Sequence, residues 1–205
     1  GDKMQSTAGI HYNFSFSNSV IEALGNNKTE IYLGISRNFL RVFPLILRLM
    51  GCSPVTHKSF LKGRSINIEN LNSEDCYLPK STSLRVSRLG YYSEEQDENF
   101  ITFNSLEGYL GTIKGYINIP NEKFKNISLD LKQQVNNGTI QMESELYNHV
   151  RPKGIISKKI RPYNQLKNHG VEYLEIRSIN ALIESIAPKI DRSINLEKIN
   201  DFQIN

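Results

Sequence analysis

The chain has 205 residues, with 25 Lys plus Arg against 21 Asp plus Glu, a net charge of +4, 39% hydrophobic and 22% charged residues. This composition excludes a disordered tail and suits one domain with a buried core. The longest apolar run, residues 42–50, is broken by Arg48 and too short to span a bilayer, and a small positive charge spread along the chain does not point to nucleic acid.

A strand-like pattern begins almost at once, so no signal peptide is expected. Over residues 4–17 the residues alternate with period two. Ile10, Tyr12, Phe14 and Phe16 fall on a face expected to be buried, and Gln5, His11 and Asn13 fall on the other. Residues 18–29 are polar and carry Gly25-Asn26-Asn27, which predicts a loop or a short helix with a loop. Residues 30–50 place Ile31, Ile35, Phe39, Val42, Leu45, Ile46 and Leu49 at helical spacing, with Pro44 expected to kink or divide the helix.

Residues 51–82 read as loop-rich, and the runs around residues 79–92 are ambiguous. Cys52 and Cys76 are expected to be free thiols in a reducing cytoplasm. Residues 103–116 predict a helix capped by Asn104 or Ser105, with Glu107 in its first turn. After the turn signal Asn136-Asn137-Gly138, residues 139–150 read as a strand with Gln141, Glu143, Glu145 and Tyr147 on one face. Residues 151–170 read as a basic connection. Residues 171–179 form the last strand, with Val171, Tyr173, Glu175 and Arg177 on one face. The sum is an α+β chain, expected to be a single domain over residues 1–205. Because the end falls inside a helical pattern, these residues are expected to be a piece of something longer.

Wet faces are ordinary in antiparallel sheets. Here they carry His11, Asn13, Glu143, Glu145, Tyr147, Glu175 and Arg177 rather than the usual Lys, Glu and Thr. A His and carboxylates from different strands can converge on Mg²⁺, which takes carboxylate and phosphate oxygens and keeps several waters. Arg177 lies two residues from Glu175 on the same face, about 6 to 7 Å along the strand at ~3.3 Å per residue. That suits a guanidinium reaching a phosphate beside the metal, a pairing used in phosphoryl transfer. The bland alternative is a surface ion pair and a satisfied strand histidine. There is no Gly-rich phosphate loop.

Five segments in order carry a resemblance. They are Met4-Gln-Ser-Thr-Ala-Gly-Ile-His-Tyr-Asn-Phe-Ser15; Gly51-Cys-Ser-Pro54 with Ser59-Phe-Leu-Lys-Gly63; Ser83-Leu-Arg-Val-Ser-Arg-Leu-Gly-Tyr91; Glu143-Ser-Glu-Leu-Tyr-Asn-His-Val-Arg-Pro-Lys153; and Gly170-Val-Glu-Tyr-Leu-Glu-Ile-Arg-Ser178. Together they resemble the proteobacterial glutamate–cysteine ligases. The resemblance implies a mostly antiparallel sheet forming a funnel-like active site, of the glutamine-synthetase-like superfamily, with flanking helices. It implies ATP-dependent joining of the γ-carboxylate of glutamate to the amine of cysteine through a γ-glutamyl phosphate, the committed step towards glutathione.

The same resemblance implies His11 and Glu175 as ligands of Mg²⁺ (or Mn²⁺), and Arg177 as the catalytic contact to the transferred phosphate. It implies Asn13 and Arg85 at the glutamate, and Gln5, Tyr91 and Tyr147 at the cysteine. Arg151 matches a family position without an implied role. Partners would be glutamate, cysteine and ATP, with no nucleic acid or membrane, in a cytoplasmic protein that is a monomer at full length. The family's acidic residues before its Gln-x-x-x-Gly-x-His strand and its C-terminal helical region have no counterpart here, and Arg88 stands where an Asp is usual. The 205 residues are therefore expected to be an incomplete central part of a larger catalytic domain, inactive alone. Two other readings stand beside this one: a related ligase with another amine acceptor, and a non-catalytic remnant that keeps only the sheet.

Overall fold

A computed structural model of the chain describes residues 9–51, 53–61, 66–87, 89–90, 101–122, 125, 136–140, 143–157 and 160–180. In chain order these residues form β1 (Gly9–Phe14), α1 (Asn18–Ala23), α2 (Lys28–Met50), β2 (Val55–His57), a 3-10 turn (Lys58–Leu61), β3 (Glu69–Asn70) and β4 (Asp75–Tyr77). Then come α3 (Leu106–Asn118), a 3-10 turn (Glu143–Glu145), β5 (Val150–Lys153), α4 (Pro162–His169) and β6 (Tyr173–Asn180). Two antiparallel three-stranded sheets result, ordered β1-β6-β5 and β2-β4-β3. The molecule is an α+β protein.

The long helix α2 follows from its apolar periodicity and its ends. The Asn27 side chain accepts from Glu30 N at 3.2 Å, Glu30 sits in the first turn and Arg48 in the last, so caps and charges oppose the helix dipole. The helix runs through Pro44 as one element rather than dividing there. Its first turn is clamped to the start of β6. Thr29 Oγ1 accepts from Val171 N at 3.1 Å, and Lys28 pairs with Glu172. Gly170 makes this approach possible: its φ of 74° is left-handed, and a Cβ there would fall on Thr29 Oγ1.

The core lies between the larger sheet and the helices. Tyr32 and Leu33 of α2, Tyr109, Leu110, Ile113 and Tyr116 of α3, and Leu166 of α4 pack with Val150, Val171 and Leu174. The sheet's pleat sends Val150, Pro152 and Leu174 to this buried back face. Residues 151, 153, 173, 175 and 177 are thereby on the front.

Several expectations are corrected here. The first strand was expected to bury Ile10 and Tyr12, yet they are 47% and 55% exposed. Among the described residues β1 is an edge strand with a register shift between these residues; Phe14 packs against the core, while Phe16, also expected to be buried, is 36% exposed and stacks on Tyr32 of α2. The strand expected over residues 139–150 is not formed. Among its described residues, Glu143–Glu145 turn in a 3-10 helix and pairing starts only at Val150. The Glu143 carboxylate accepts from Tyr163 N at 3.1 Å, so it caps α4, whose own N-cap residue Arg161 makes no side-chain cap. The supposed connection 151–170 holds both β5 and α4, and the loop-rich stretch 51–82 holds the small sheet. Cys76 is a buried free thiol donating to Thr56 O; Cys52 and the tail after residue 180 lie outside the described residues.

Candidate active site on the polar sheet face

The front of the larger sheet is built around β6, its central strand. In the register, Asn13 of β1, Glu175 of β6 and Arg151 of β5 lie on one rung. Arg177 follows Glu175 on the same face, and Lys153 pairs with Tyr173 one step away. Period-two alternation alone therefore brings one carboxylate, three cations, an amide and a phenol to one side.

The carboxylate of Glu175 is divided between its neighbours. Its Oε1 lies 3.4 Å from His11 Nδ1, and its Oε2 lies 3.6 Å from Lys153 Nζ and 3.8 Å from Arg177 Nε. The register shift in β1 accompanies the lean of His11 towards β6. Arg151, directly opposite Glu175, donates through Nη2 to Leu146 O at 2.5 Å and is attracted by the Glu175 charge. Arg85 is buried beneath β1, and a Cβ on Gly9 would fall on its guanidinium. Gly9 is thus needed for close approach, independently of its backbone angles.

Arg177 carries the site's clearest demand. Among the described residues, its Nε and Nη1 are buried without a hydrogen-bond partner. Buried guanidinium donors left unmade are costly, and a phosphate or carboxylate oxygen is the acceptor that would satisfy them. The electrostatics agree. His11 is held below its ordinary pKa by burial first, with Glu175 opposing and Arg177, Arg85 and Arg151 reinforcing. Arg151 is lowered by burial and then by Arg177, and Tyr173 is raised by burial and Glu175. Arg151, Lys153 and Arg177, with Arg85 alongside, outnumber Glu175 and the Glu143 carboxylate that acts on Arg151, so the face attracts anions.

Two hollows flank Tyr173. A cavity of about 240 Å³ lies outside β5 between α3 and α4, with Tyr109, Tyr163 and Leu166 as walls and Arg151 and Lys153 at its charged side. An open groove of about 640 Å³ runs past Asn13, Phe16, Lys28 and Glu172. Tyr109, inside the first, is pushed up to about 12 by burial and stays a neutral phenol.

A divalent cation fits this donor set in part. His11 and Glu175 offer a neutral imidazole and a carboxylate on the same side, a set to which Mg²⁺ adds phosphate oxygens and waters. Among the described residues no third His, Cys, Asp or Glu joins them.

Of the residues singled out from sequence, His11, Asn13, Glu175 and Arg177 share one face, with Arg85 alongside. Tyr147 is half-buried in the connection between the 3-10 turn and β5, not on a strand with Glu143 and Glu145. Gln5 and Tyr91 lie outside the described residues. Lys153 was missed. The signal was present: Arg151 and Lys153 flank Pro152 at strand spacing, inside what reads as a basic loop.

Comparison with known proteins gives concordant findings. The family profile described as glutamate-cysteine ligase matches residues 1–195. A glutamate–cysteine ligase of Aliivibrio salmonicida is 37% identical over 194 residues, covering 88% of this chain and 37% of the relative. One of Alcanivorax borkumensis is 35% identical over 198 residues, covering 88% and 38%. The chain thus spans a little over a third of the length of these relatives. Among solved structures, the Francisella tularensis glutamate–cysteine ligase in complex with AMP superposes with a TM-score of 0.73 at 32% identity, over 84% of this chain and 36% of that one. A bifunctional glutathione synthetase from Pasteurella multocida, 24% identical with a TM-score of 0.54 over 88% and 20%, shares the fold.

Proposed function

The chain belongs to the glutamate–cysteine ligase family, and from that membership we propose that its polar sheet face is part of the centre of an ATP-dependent ligase. The reaction joins the γ-carboxylate of L-glutamate to the amine of L-cysteine, the first step of glutathione biosynthesis. The observation that carries this reading is the Arg177 guanidinium, with two buried donors unmatched, next to the pair His11–Glu175.

A carboxylate is a poor acyl donor, and phosphorylation by ATP turns it into an acyl phosphate. The Arg177 donors would meet oxygens of the transferred group, where charge accumulates in phosphoryl transfer. His11 and Glu175 would hold Mg²⁺, which when bound neutralises phosphate charge. Arg85 and Asn13 are assigned to the glutamate, and Gln5, Tyr91 and Tyr147 to the cysteine. The amine of cysteine then displaces phosphate, forming the amide. The low pKa of His11 keeps its imidazole neutral and able to donate a lone pair at neutral pH. The reading carries with it a cytoplasmic protein, monomeric at full length, without nucleic-acid or membrane partners. It also treats residues 1–205 as one incomplete part of the catalytic domain.

The test is ADP formation by the full-length protein that carries this chain. Turnover should require both glutamate and cysteine, and Arg177→Ala should lower kcat by about 10²- to 10³-fold, the scale of losing one oriented donor at a developing charge. Turnover within a few-fold of wild type in Arg177→Ala and Glu175→Gln would remove the site assignment. Equal rates with unrelated amines would remove the cysteine assignment and leave a broader carboxylate–amine ligase.

A further inference from the structure

Glu175 is the one carboxylate on the front of β6, and its two oxygens do different things. Oε1 faces His11 at 3.4 Å, while Oε2 faces Lys153 at 3.6 Å and Arg177 at 3.8 Å. Lys153 is not the residue across the ladder from Glu175. It stands opposite Tyr173 and reaches diagonally by one rung, a distance that long side chains cover. The opposite residue, Arg151, is held by Leu146 O. From β5, Lys153 reaches Glu175 Oε2 at 3.6 Å, and Arg151 on the same strand also feels the Glu175 charge. Its side chain is 26% exposed and that of Glu175 is 13% exposed, so the contact is partly sheltered from solvent screening.

We propose that Lys153 is a positioning residue: by holding Oε2 of Glu175 from the β5 side, it turns Oε1 towards His11 and makes Glu175 a one-oxygen ligand of the divalent cation. This rests on the reading of His11 and Glu175 in the preceding subsection and goes beyond it. A carboxylate with both oxygens free can swing and chelate through either or both. With Oε2 engaged by an ammonium, only Oε1 is presented beside an imidazole nitrogen. Partners behind a ligating carboxylate commonly set metal affinity by 10- to 100-fold, because they fix the ligand's direction before the metal arrives. Arg177 shares Oε2 only through Nε at 3.8 Å, an atom that makes no hydrogen bond among the described residues, whereas the Lys153 ammonium is the nearer cation at 3.6 Å. Simple charge repulsion makes the opposite forecast: removing Lys153 should then tighten cation binding. The two forecasts differ in sign.

The experiment is Mn²⁺ titration of the full-length protein that carries this chain, followed by the electron paramagnetic resonance signal of free Mn²⁺, for wild type, Lys153→Met, Lys153→Arg, His11→Ala and Glu175→Gln. Lys153→Met should raise the Mn²⁺ dissociation constant about tenfold, and Lys153→Arg should return it to within about threefold of wild type. A purely structural role would not show that charge-specific rescue. Lys153→Ala gives the same comparison should Met pack poorly, with circular dichroism as the folding control. Unchanged or tighter Mn²⁺ binding in Lys153→Met overturns the proposal, as does a loss confined to inorganic phosphate binding, which would make Lys153 an anion contact. Absent Mn²⁺ binding in wild type, or binding indifferent to His11→Ala and Glu175→Gln, would instead sink the underlying metal reading. Binding lost in those two and retained in Lys153→Met sinks only the role of Lys153.

Discussion

His149 shows how one residue ties the site to the rest of the molecule. Its ring stacks on Phe43 of α2 with centroids 3.9 Å apart, and its carbonyl accepts from Arg177 N and Ser178 Oγ. Burial pushes its pKa down to about 4 from 6.5. The unfolded chain binds a proton at this side chain below pH 6.5, whereas the folded chain resists until about 4. Stability should therefore be full above 6.5 and fall between 6.5 and 4, by on the order of 3 kcal/mol for a shift of this size. His149→Phe keeps a ring against Phe43 and removes the titration. Urea midpoints at pH 7 and 4.5 should differ less in this variant than in wild type. The residues of the candidate site that could be read in the sequence are those on regular strands. His11, Asn13, Glu175 and Arg177 declare themselves by period two. Lys153 did not, since a Pro-containing strand resembles a loop, and Glu143 was read as part of a strand because a 3-10 turn can imitate strand alternation over a few residues.

At the scale of elements, helices were more legible than strands. α2 and α3 carry apolar spacing and capping residues within reach of their own backbone. In α3 the Ser105 hydroxyl accepts from Gly108 N at 3.0 Å, and Tyr109 and Leu110 then enter the core. Ser105→Ala should cost about 1 kcal/mol of stability, measured by chemical denaturation. Short elements were missed for a different reason: their ends are satisfied from elsewhere. α4 takes its cap from Glu143, about twenty positions earlier in the chain, and β2, β3 and β4 are stabilised by pairing with each other. Local sequence does not encode such partners. Pro162 at the first helical position and Gly170 after the last did mark the ends of α4, and these signals were present though overridden by the basic composition.

At the scale of the molecule, α2 is unevenly covered. Tyr32, Leu33 and Ser36 are buried, whereas Val42, Leu45 and Leu49 are 50%, 60% and 74% exposed on successive turns. Ile10 and Tyr12 add apolar surface on the edge strand β1. Exposed apolar surface of this sort promotes self-association, and open strand edges add to it. Leu45→Lys with Leu49→Glu should reduce light scattering of the concentrated chain, while each change moves unfolding stability by only about 0.5 kcal/mol, as for exposed sites. The α+β class and the antiparallel pairing were readable from patterning. The exposed stripe was not, because periodicity tells which residues share a face and not what covers it.

The central place of β6 has a consequence for how the protein is made. The first turn of α2 meets residues 171 and 172 across 142 and 144 positions of chain, and β1 and β5 each pair with β6 rather than with one another. During synthesis at 5–20 residues per second, α2 would wait roughly 7–30 s for its partner to be translated. Throughout that interval β1 lacks β6, its strand partner among the described residues, and His11 lacks Glu175. The charged face thus comes together only once the last described strand pairs with both β1 and β5.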